Sequence, residues 1–342
     1  MAAALLDWLW YGTDRGARIA RGALRPLSAV YGGVMRWRNA WYDVPTHVHA
    51  MPVPALSIGN LSVGGTGKTP VAAWCAAALQ QRGGAPALVL RGYGDDEPMV
   101  HRHLNPTVPV ITTSDRVAGA QLARRAGADV VVLDDAFQHR RAGRVRDVVL
   151  VSADRWHDAL QVLPAGPWRE PIVGLRRAHL LVITRKAVSL ARARAVATAV
   201  QRVAPAVPQA IVALVADRLS AMDGTDGGAV GALAGTSVLA ICGIGDPSSF
   251  RAQLAAAGAE VQLKHYPDHY GYSDRDIASL AAAAGDRRVV TTLKDAVKLA
   301  QRWPRTASPL WYVSQRVVVE DGGSALDGAL AAVLDARATL PG

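Results

Sequence analysis

The sequence predicts an α/β fold with a doubly wound, mostly parallel sheet, a second, smaller α/β domain and an N-terminal amphipathic helical arm. Nine short apolar runs alternate with alanine-rich stretches of helical character. The first of these runs leads directly into a glycine-rich loop. The beginning of the chain combines tryptophans with arginines at helical spacing. Continuous apolar strands separated by helices are typical of a parallel sheet that helices cover on both faces.

The N-terminal arm, residues 1–48, is defined by the spacing of its side chains. Trp8 and Trp10 lie in an apolar tip, and arginines then recur at positions 15, 18, 21 and 25. A second apolar stripe begins at Leu27 and ends at Trp41. Aromatic side chains beside a basic stripe are typical of a helix in the headgroup layer of an anionic membrane surface. A helical arm packed on its own domain or on a dimer partner would show the same pattern.

Two α/β domains are expected after the arm, because 342 residues exceed the usual length of a single domain, and one larger α/β domain is the alternative. The glycine- and aspartate-rich stretch 222–235 is the best candidate for the connection between them. We place the first domain at 49–215 and the second, smaller domain at 216–342. The runs predicted as strands are Ala55–Ile58, Ala87–Leu90, Val130–Leu133, Val148–Val151, Leu180–Ile183, Ile211–Val215, Val238–Ile241, Val289–Thr291 and Leu310–Val313.

Composition limits the classes of partner. The formal net charge is +10, and it comes almost entirely from arginine, since lysine occurs only at positions 68, 186, 264, 294 and 298. This charge suits nucleic acid, anionic lipid or phosphorylated metabolites, and a compositional bias toward arginine would produce the same excess. The two cysteines lie far apart without zinc-ligand spacing, so a reducing, cytosolic location is expected. No apolar run is long enough to predict a membrane-spanning helix.

The strongest motif is the glycine-rich loop Ser62–Thr69, which follows the first predicted strand and precedes a helical run. Phosphate chains bind to the closely spaced N–H groups of such a loop and to the positive end of the following helix. Lys68 is expected to neutralise the phosphates of ATP, and the Thr69 hydroxyl to bind Mg²⁺. The motif predicts a P-loop NTPase-like domain, although Ser62 replaces the usual first glycine. The predicted nucleotide-binding residues are Ser62, Val63, Gly64, Gly65, Thr66, Gly67, Lys68 and Thr69.

A pair of acids, Asp134 and Asp135, ends the third predicted strand. Carboxylates at the carboxyl edge of a parallel sheet lie where such sheets bind ligands. Carboxylate oxygens are also ligands that hard cations prefer. Taken alone, the pair is equally typical of a turn, because aspartate is common there. Beside the glycine-rich loop, the pair predicts a magnesium site.

Two further segments are ambiguous from spacing alone. Residues 91–98 place an arginine, a tyrosine and three acids on a predicted loop after the second strand. Far downstream, Asp268 and His269 lie on a proline-containing loop. An acid paired with a histidine can orient and deprotonate a hydroxyl for attack on a phosphate. A histidine on a loop is, however, more often simply solvated.

The chain resembles the tetraacyldisaccharide 4'-kinases of lipid A biosynthesis over nearly its whole length. The resemblance is specific, because many short motifs occur in the same order. They are Pro26-Leu27-Ser28 with Tyr31-Gly32, Gly59 to Pro70, Arg91-Gly92-Tyr93-Gly94, Asp96-Glu97-Pro98, Asp134-Asp135 with Phe137-Gln138-His139, Leu163 to Pro167 with Arg169-Glu170-Pro171, Asp268-His269, and Lys294-Asp295-Ala296-Val297-Lys298.

The resemblance implies ATP-dependent phosphorylation of the 4'-hydroxyl of an acylated glucosamine disaccharide phosphate at the cytoplasmic face of the inner membrane. It also implies two α/β domains with the active site between them, and monotopic or peripheral membrane association through the arm. Asp96 is expected to be the catalytic base, and His269 is expected to assist it. Lys68 is the third expected catalytic residue and binds the phosphates of ATP. Glu97 joins Thr69, Asp134 and Asp135 as a magnesium ligand. The implied acceptor-side contacts are Asn60, Arg91, Tyr93, Arg169 and Glu170.

The chain departs from the family pattern in three places. The family usually has a longer insertion between the motifs that here end at Gly94 and begin at Asp96. Ala136 stands where the family usually has glycine, and Leu293 where an acid is common. None of these changes removes a residue that the chemistry requires, so an active enzyme is expected.

Two alternative functions have sequence features of their own. A membrane-associated partitioning or targeting ATPase carries a similar loop, but with an additional lysine at the position of Val63. A nucleic-acid-binding NTPase is compatible with the positive charge, but it requires stacking aromatics along a basic groove. The aromatics of this chain concentrate in the arm, so no nucleic-acid partner is expected.

Overall fold

The structure is a computed structural model that describes residues 2–92, 96–157 and 161–339. The helices are α1 Ala2–Tyr11, α2 Arg15–Tyr42, α3 Lys68–Gln81, α4 Asp96–Leu104, α5 Arg116–Arg125, α6 Leu190–Val203, α7 Pro247–Ala256, α8 Asp274–Ala284, α9 Leu293–Leu299 and α10 Gly323–Asp335. The strands are β1 Ala55–Asn60, β2 Pro86–Leu90, β3 Val110–Thr112, β4 Val130–Asp134, β5 Arg146–Ser152, β6 Leu180–Arg185, β7 Gln209–Ser220, β8 Asp226–Ala229, β9 Ser237–Cys242, β10 Glu260–His265, β11 Arg288–Thr292 and β12 Leu310–Asp321. Short 3-10 helices occupy Pro45–His47, Ile172–Arg177, Val230–Leu233, Ala300–Arg302 and Ala336–Thr339.

The chain forms two compact units. Among the described residues, the first unit contains 2–92, 101–157, 161–212 and 319–339. The second contains 96–100 and 213–318. The boundaries therefore fall inside α4, β7 and β12.

The first unit is built on parallel strands in the order β6-β5-β1-β4-β2-β3. The central strands are fully buried apolar runs, as is usual when both faces of a sheet are covered. Two apolar clusters pack against it, one around Val149 and Leu181, the other around Val89 and Val131. Because β1 pairs with β4, the loop after β1 and the acids that end β4 emerge at the same carboxyl edge.

The second unit has parallel strands in the order β10-β9-β11-β12. The short strand β8 pairs antiparallel with the end of β7. Apolar clusters around Leu254 and Ile277 pack on this sheet. The loops after β9, β10 and β11 consequently share one carboxyl edge, and the segment with His269 is among them.

The predicted α/β class is confirmed, and each of the nine predicted strands lies within an observed strand. Three short strands were not predicted. β3 has only three residues, β8 lies in the glycine-rich stretch expected to be a turn, and β10 alternates exposed and partly buried side chains at the end of its sheet. Asp96, Glu97 and Pro98 were expected on a loop but form the first turn of α4. Acids are favourable there because of the helix dipole, and proline in a first turn disrupts no helical hydrogen bond.

The arm belongs to the first unit, and one side of it packs there. Ser28 donates a hydrogen bond to the carbonyl of Val162 over 3.0 Å, and the Tyr31 hydroxyl donates to the carbonyl of Arg169 over 2.7 Å. The other side of α2 exposes a stripe at steps of three and four residues. This stripe consists of Leu27, Val30, Val34, Trp37 and Trp41. Among the described helices, none is long and apolar enough to cross a bilayer.

Candidate active site

The glycine-rich loop begins where β1 ends, at Asn60, and α3 begins at Lys68. Gly67 caps α3 with a left-handed backbone, φ +89°, and Gly64 also has a positive φ of +111°. Side chains other than glycine rarely adopt these angles, so the glycines allow the chain to fold back over the helix terminus. The first N–H groups of a helix have no partner within it. The loop and helix together therefore have the local form of an anion site.

Side chains from neighbouring segments hold this loop in place. The buried Asn60 side chain donates a hydrogen bond to the Thr66 hydroxyl over 2.8 Å. Thr184, at the carboxyl end of β6, donates to the carbonyl of Thr66 over 2.9 Å. Lys186 Nζ donates to the carbonyl of Gly65 over 2.7 Å. The amide of Thr66 donates to the carbonyl of Gly64, and that of Val63 to the carbonyl of Pro167, so these two amides already have partners within the protein.

The acid Asp135 connects the glycine-rich loop to the segment after Pro167. Its carboxylate lies 3.7 Å from Lys68 Nζ. It also accepts two hydrogen bonds from Arg169, over 2.9 and 3.1 Å. Burial raises the pKa of the Asp135 carboxyl, but the charges of Lys68 and Arg169 outweigh burial and hold this pKa below its usual value. Asp135 has a left-handed backbone, φ +50°, a conformation that is uncommon for residues other than glycine and recurs at functional sites. Lys68, Asp135 and Arg169 thus form one charged group.

The other acid of the pair, Asp134, is held by a histidine that the sequence analysis did not identify. His101 is fully buried, and its Nε2 lies 2.8 Å from Asp134 Oδ2. Asp134 Oδ1 is buried and has no hydrogen-bond partner among the described residues. A buried carboxylate oxygen without a partner is unfavourable unless a cation or water completes it. The donor set at the loop edge, a carboxylate pair and the Thr69 hydroxyl, consists of the hard oxygens that Mg²⁺ prefers.

Magnesium in nucleotide sites usually has few protein ligands, because phosphate oxygens and waters supply the rest. In keeping with this, the described residues contain no cluster of three His, Cys, Asp or Glu side chains suited to hold a metal by themselves. The residues at the loop edge therefore fit a cation that arrives with a nucleotide.

In the second unit, Asp96 and His269 come together although 173 positions separate them in the chain. His269 Nδ1 lies 3.2 and 3.1 Å from the two oxygens of Asp96, whose exposed fraction is only 4%. Glu97 is nearby, with Oε1 4.0 Å from His269 Nε2. His269 also has a left-handed backbone, φ +59°, so both non-glycine residues with positive φ in the described chain belong to the predicted site. The acid–histidine pair expected from the sequence is thus present.

The electrostatics around Asp96 favour its ionised form. Burial raises the pKa of its carboxyl, but the hydrogen bond with His269 and the positive charges of Lys294 and Lys298 prevail, and the pKa of Asp96 is lowered. The same hydrogen bond raises the pKa of His269, while burial and Lys294 oppose that rise. A buried, ionised carboxylate that is oriented by a histidine can accept a proton from a bound hydroxyl.

The predicted acceptor-side residues occupy different surroundings. Arg91 is exposed, Arg169 is partly exposed beside Asp135, and Tyr93 lies outside the described residues. Glu170 has no exposed surface and accepts hydrogen bonds from three side chains. Asn60 is equally buried beneath the loop. Asn60 and Glu170 therefore contact the protein itself in this structure.

Glu170 is the centre of a network that the sequence analysis missed. It accepts from Asn39 of the arm over 2.8 Å, from Gln138 over 3.0 Å and from Arg177 over 2.8 Å. No local signal connects these positions, since they come from three separate segments: the arm, the residues after β4 and the residues before β6. Lys186 differs from these residues, because lysine occurs at only five positions in the chain and this scarcity singles out each lysine as a candidate for a specific role.

A cavity of about 580 Å³ in the second unit lies away from this chemistry. Its lining includes Ser237, Arg288 and Trp311, which lie at the amino ends of β9, β11 and β12. Ligands of parallel sheets bind at the carboxyl ends of the strands. The acid–histidine pair, and not this cavity, is therefore the candidate site of the second unit.

The sequence and the fold both match known proteins of one family. The family model described as tetraacyldisaccharide-1-P 4'-kinase matches residues 20–102 and 94–335. The chain is similar to the tetraacyldisaccharide 4'-kinases of Halorhodospira halophila, 36% identical over 85% of this chain and 87% of the relative, and of Alkalilimnicola ehrlichii, 38% identical over 85% and 86%. It is also similar to the crystal structure of "apo" form LpxK from Aquifex aeolicus in complex with ATP, with a TM-score of 0.71 and 28% identity, covering 92% of this chain and 99% of that one. The chain therefore belongs to the tetraacyldisaccharide-1-P 4'-kinase family.

Proposed function

We propose that the chain transfers the γ-phosphoryl group of ATP to the 4'-hydroxyl of a tetraacyldisaccharide 1-phosphate in lipid A biosynthesis. Family membership supports the reaction class and the substrate. The observation that carries the chemistry is the pairing of Asp96 with His269. A phosphate-binding loop alone serves many enzymes, whereas a buried acid oriented by a histidine supplies the base that transfer to an alcohol requires.

The loop residues are proposed to hold the nucleotide. The free N–H groups of the first turn of α3 and the charge of Lys68 bind the phosphates, and Asn60, Thr184 and Lys186 keep the loop in shape. Lys68 is paired with Asp135 at 3.7 Å, so a bound phosphate competes with that carboxylate for the ammonium. Most of the rate enhancement in such reactions comes from positioning and electrostatic stabilisation.

Thr69, Asp134, Asp135 and Glu97 are the proposed magnesium ligands, with His101 orienting Asp134. When bound with ATP, Mg²⁺ would neutralise charge on the transferring phosphoryl group. Arg169, which reaches Asp135 and is partly exposed, is proposed to contact the phosphates or the acceptor. Arg91 and Tyr93 remain proposed acceptor contacts.

In the proposed step, the oxygen of the 4'-hydroxyl attacks the γ-phosphorus. The bond from that phosphorus to the β–γ bridging oxygen breaks, and ADP leaves with the electron pair. Asp96 accepts the hydroxyl proton, and the hydrogen bond from His269 stabilises its position. No covalent phosphoenzyme is required.

The arm is proposed to dock the enzyme on the cytoplasmic face of the inner membrane. Its exposed apolar stripe from Leu27 to Trp41 is flanked by exposed arginines at positions 15, 18, 25 and 36. Apolar area and basic charge together are what an interfacial helix needs to bind an anionic surface. An acylated sugar presents its hydroxyl at the same surface, so docking would place enzyme and acceptor together.

The experiment is a transfer assay with γ-labelled ATP, Mg²⁺ and a tetraacyldisaccharide 1-phosphate in detergent. The wild type should label the lipid, and Asp96→Ala and Lys68→Ala should reduce the rate by about 10²–10⁴-fold. Lys264→Met, which changes an exposed lysine of β10, should retain activity. Label released only as free phosphate would favour a partitioning or targeting ATPase. Salt-dependent binding to DNA or RNA, with no lipid labelling, would favour a nucleic-acid NTPase.

A further inference from the structure

The motif from Lys294 to Lys298 has no role in the mechanism so far, yet both of its lysines lie beside Asp96. Lys298 Nζ is 3.7 Å and Lys294 Nζ 3.9 Å from Asp96 Oδ2. Both lysines are on α9, one turn apart, so their side chains lie on the same face of that helix. Two of the five lysines of the chain therefore face one carboxylate that is almost completely buried.

Contacts with residues other than Asp96 fix the position of the Lys298 ammonium. Its ammonium lies 3.2 Å from Asp295 and donates to the carbonyl of Tyr270 over 3.1 Å. Asp295 has no exposed surface and accepts from the Gly243 amide and the Tyr272 hydroxyl. The hydrogen bonds of Asp295 thus hold Lys298 in place. Because Lys298 Nζ is 3.7 Å from Asp96 Oδ2, Lys298 acts on Asp96 through its charge. A charge that is held by buried partners loses little entropy when it orients a neighbour.

Lys294 contacts the ring nitrogen of His269 that faces away from Asp96. Its Nζ lies 3.1 Å from His269 Nε2 and 2.7 Å from Asp268. An ammonium can only donate hydrogen bonds, so His269 Nε2 must accept at this contact. In the neutral ring, the proton then resides on Nδ1, which faces the oxygens of Asp96. Two carboxylates also lie near Nε2, those of Asp268 at 3.9 Å and Glu97 at 4.0 Å. Both would favour a proton on that nitrogen.

We propose that Lys294 and Lys298 are positioning residues for the Asp96–His269 pair: Lys298 holds the carboxylate in place, and Lys294 keeps the bare nitrogen of His269 away from Asp96. In this arrangement His269 donates to Asp96 from Nδ1, and the carboxylate remains available to a substrate hydroxyl. The inference rests on the proposed function, because it assigns the two lysines to the base of that reaction.

The test combines kinetics with a spectroscopic measurement on the full-length protein. Lys294→Met and Lys298→Met should each lower kcat by about 10- to 100-fold, as is usual for groups that orient a reacting residue, while KM for ATP changes less than about twofold. Lys298→Arg and Lys294→Arg, which retain the charge and the donors, should recover most of this loss. Lys264→Met is the matched control. Lys298→Met could fold poorly because Asp295 loses its partner. In that case Lys298→Arg and the two Lys294 variants test the proposal.

The tautomer is measured by ¹⁵N NMR of the imidazole rings, with the His269 signals assigned from a His269→Gln sample. At a pH high enough for the ring to be neutral, Nε2 should carry no proton in the wild type and should become protonated in Lys294→Met. A bare Nε2 in Lys294→Met, or kcat within about twofold of wild type in both methionine variants, would overturn the inference. If the wild type itself fails to label the lipid, the proposed function fails, while the NMR result still decides the role of Lys294.

Discussion

Replacement of Glu170 by alanine distinguishes a structural role from an acceptor contact. Glu170 is completely buried and accepts hydrogen bonds from Asn39, Gln138 and Arg177 over 2.8 to 3.0 Å. Removing one partner of a buried ion pair typically costs about 3–5 kcal/mol, because the remaining charge has no partner. Arg177 keeps about a fifth of its side chain exposed, so we expect the lower end, about 3 kcal/mol.

The assay is urea unfolding. With a slope of about 3 kcal/mol per molar, Glu170→Ala should lower the urea midpoint by about 1 M. Glu170→Gln, which keeps the volume but loses the charge, should lose less. A double-mutant cycle with Asn39→Ala should show a coupling of about 1 kcal/mol, since the two side chains share a hydrogen bond. Glu260→Ala, at an exposed position of β10, is the control and should change stability by less than about 0.5 kcal/mol.

An unchanged midpoint in Glu170→Ala together with a raised KM for the acceptor would refute this reasoning. Glu170 would then contact the acceptor, as the family resemblance implies, and the network around it would contribute little to stability.

Three further predictions concern other parts of the first unit. Changing both Trp37 and Trp41 to serine should weaken binding to anionic vesicles by about tenfold or more, since each exposed ring contributes apolar area. Lys186→Met should raise KM for ATP by about tenfold, because the carbonyl of Gly65 loses its 2.7 Å donor and the loop is less well held. His139 has its pKa lowered to about 4, first by burial and then by nearby arginines. The folded protein therefore binds a proton at His139 less readily than the unfolded chain does. Stability should fall by about 3 kcal/mol as pH falls from about 6.5 to 4.

The controls are measured in parallel. Vesicles of neutral lipid separate the charge of the arm from its apolar stripe. A Lys186→Arg variant should keep KM near the wild-type value. His139→Gln should show a smaller loss of stability across the same pH range, and an identical loss would exclude His139 as the cause.

Local patterns predicted most of the architecture. The buried strands are apolar runs of the length that strands have, and helices separate them, so β1, β4 and β6 could be located without a structure. The pattern failed at β3 and β10, which lie at the ends of their sheets and lack a continuous apolar run. Edge strands bury less surface, and their sequences consequently carry a weaker signal.

In the candidate site, too, the residues with a local sequence pattern were predicted and those without one were not. The glycine-rich loop and the acids after β4 are recognisable because each is contiguous in sequence and has a known chemistry. Spacing alone could not distinguish His269 from a solvated loop histidine, and the family resemblance was needed to pair it with Asp96. The role of His101 gave no signal at all, since only its position opposite Asp134 makes it important.

By itself, then, the sequence located nine of the twelve described strands, the glycine-rich loop, the amphipathic arm and, through its motifs, the family. These are properties of short segments, and they follow from periodicity and from the chemistry of adjacent residues. Only the tertiary structure decided that residues 319–339 belong to the first unit, that Asp96 lies beside Lys294 and Lys298, and that Glu170 is buried. The reason is physical: burial, ion pairing and tautomer choice depend on groups that are distant in the chain and come together only when it folds.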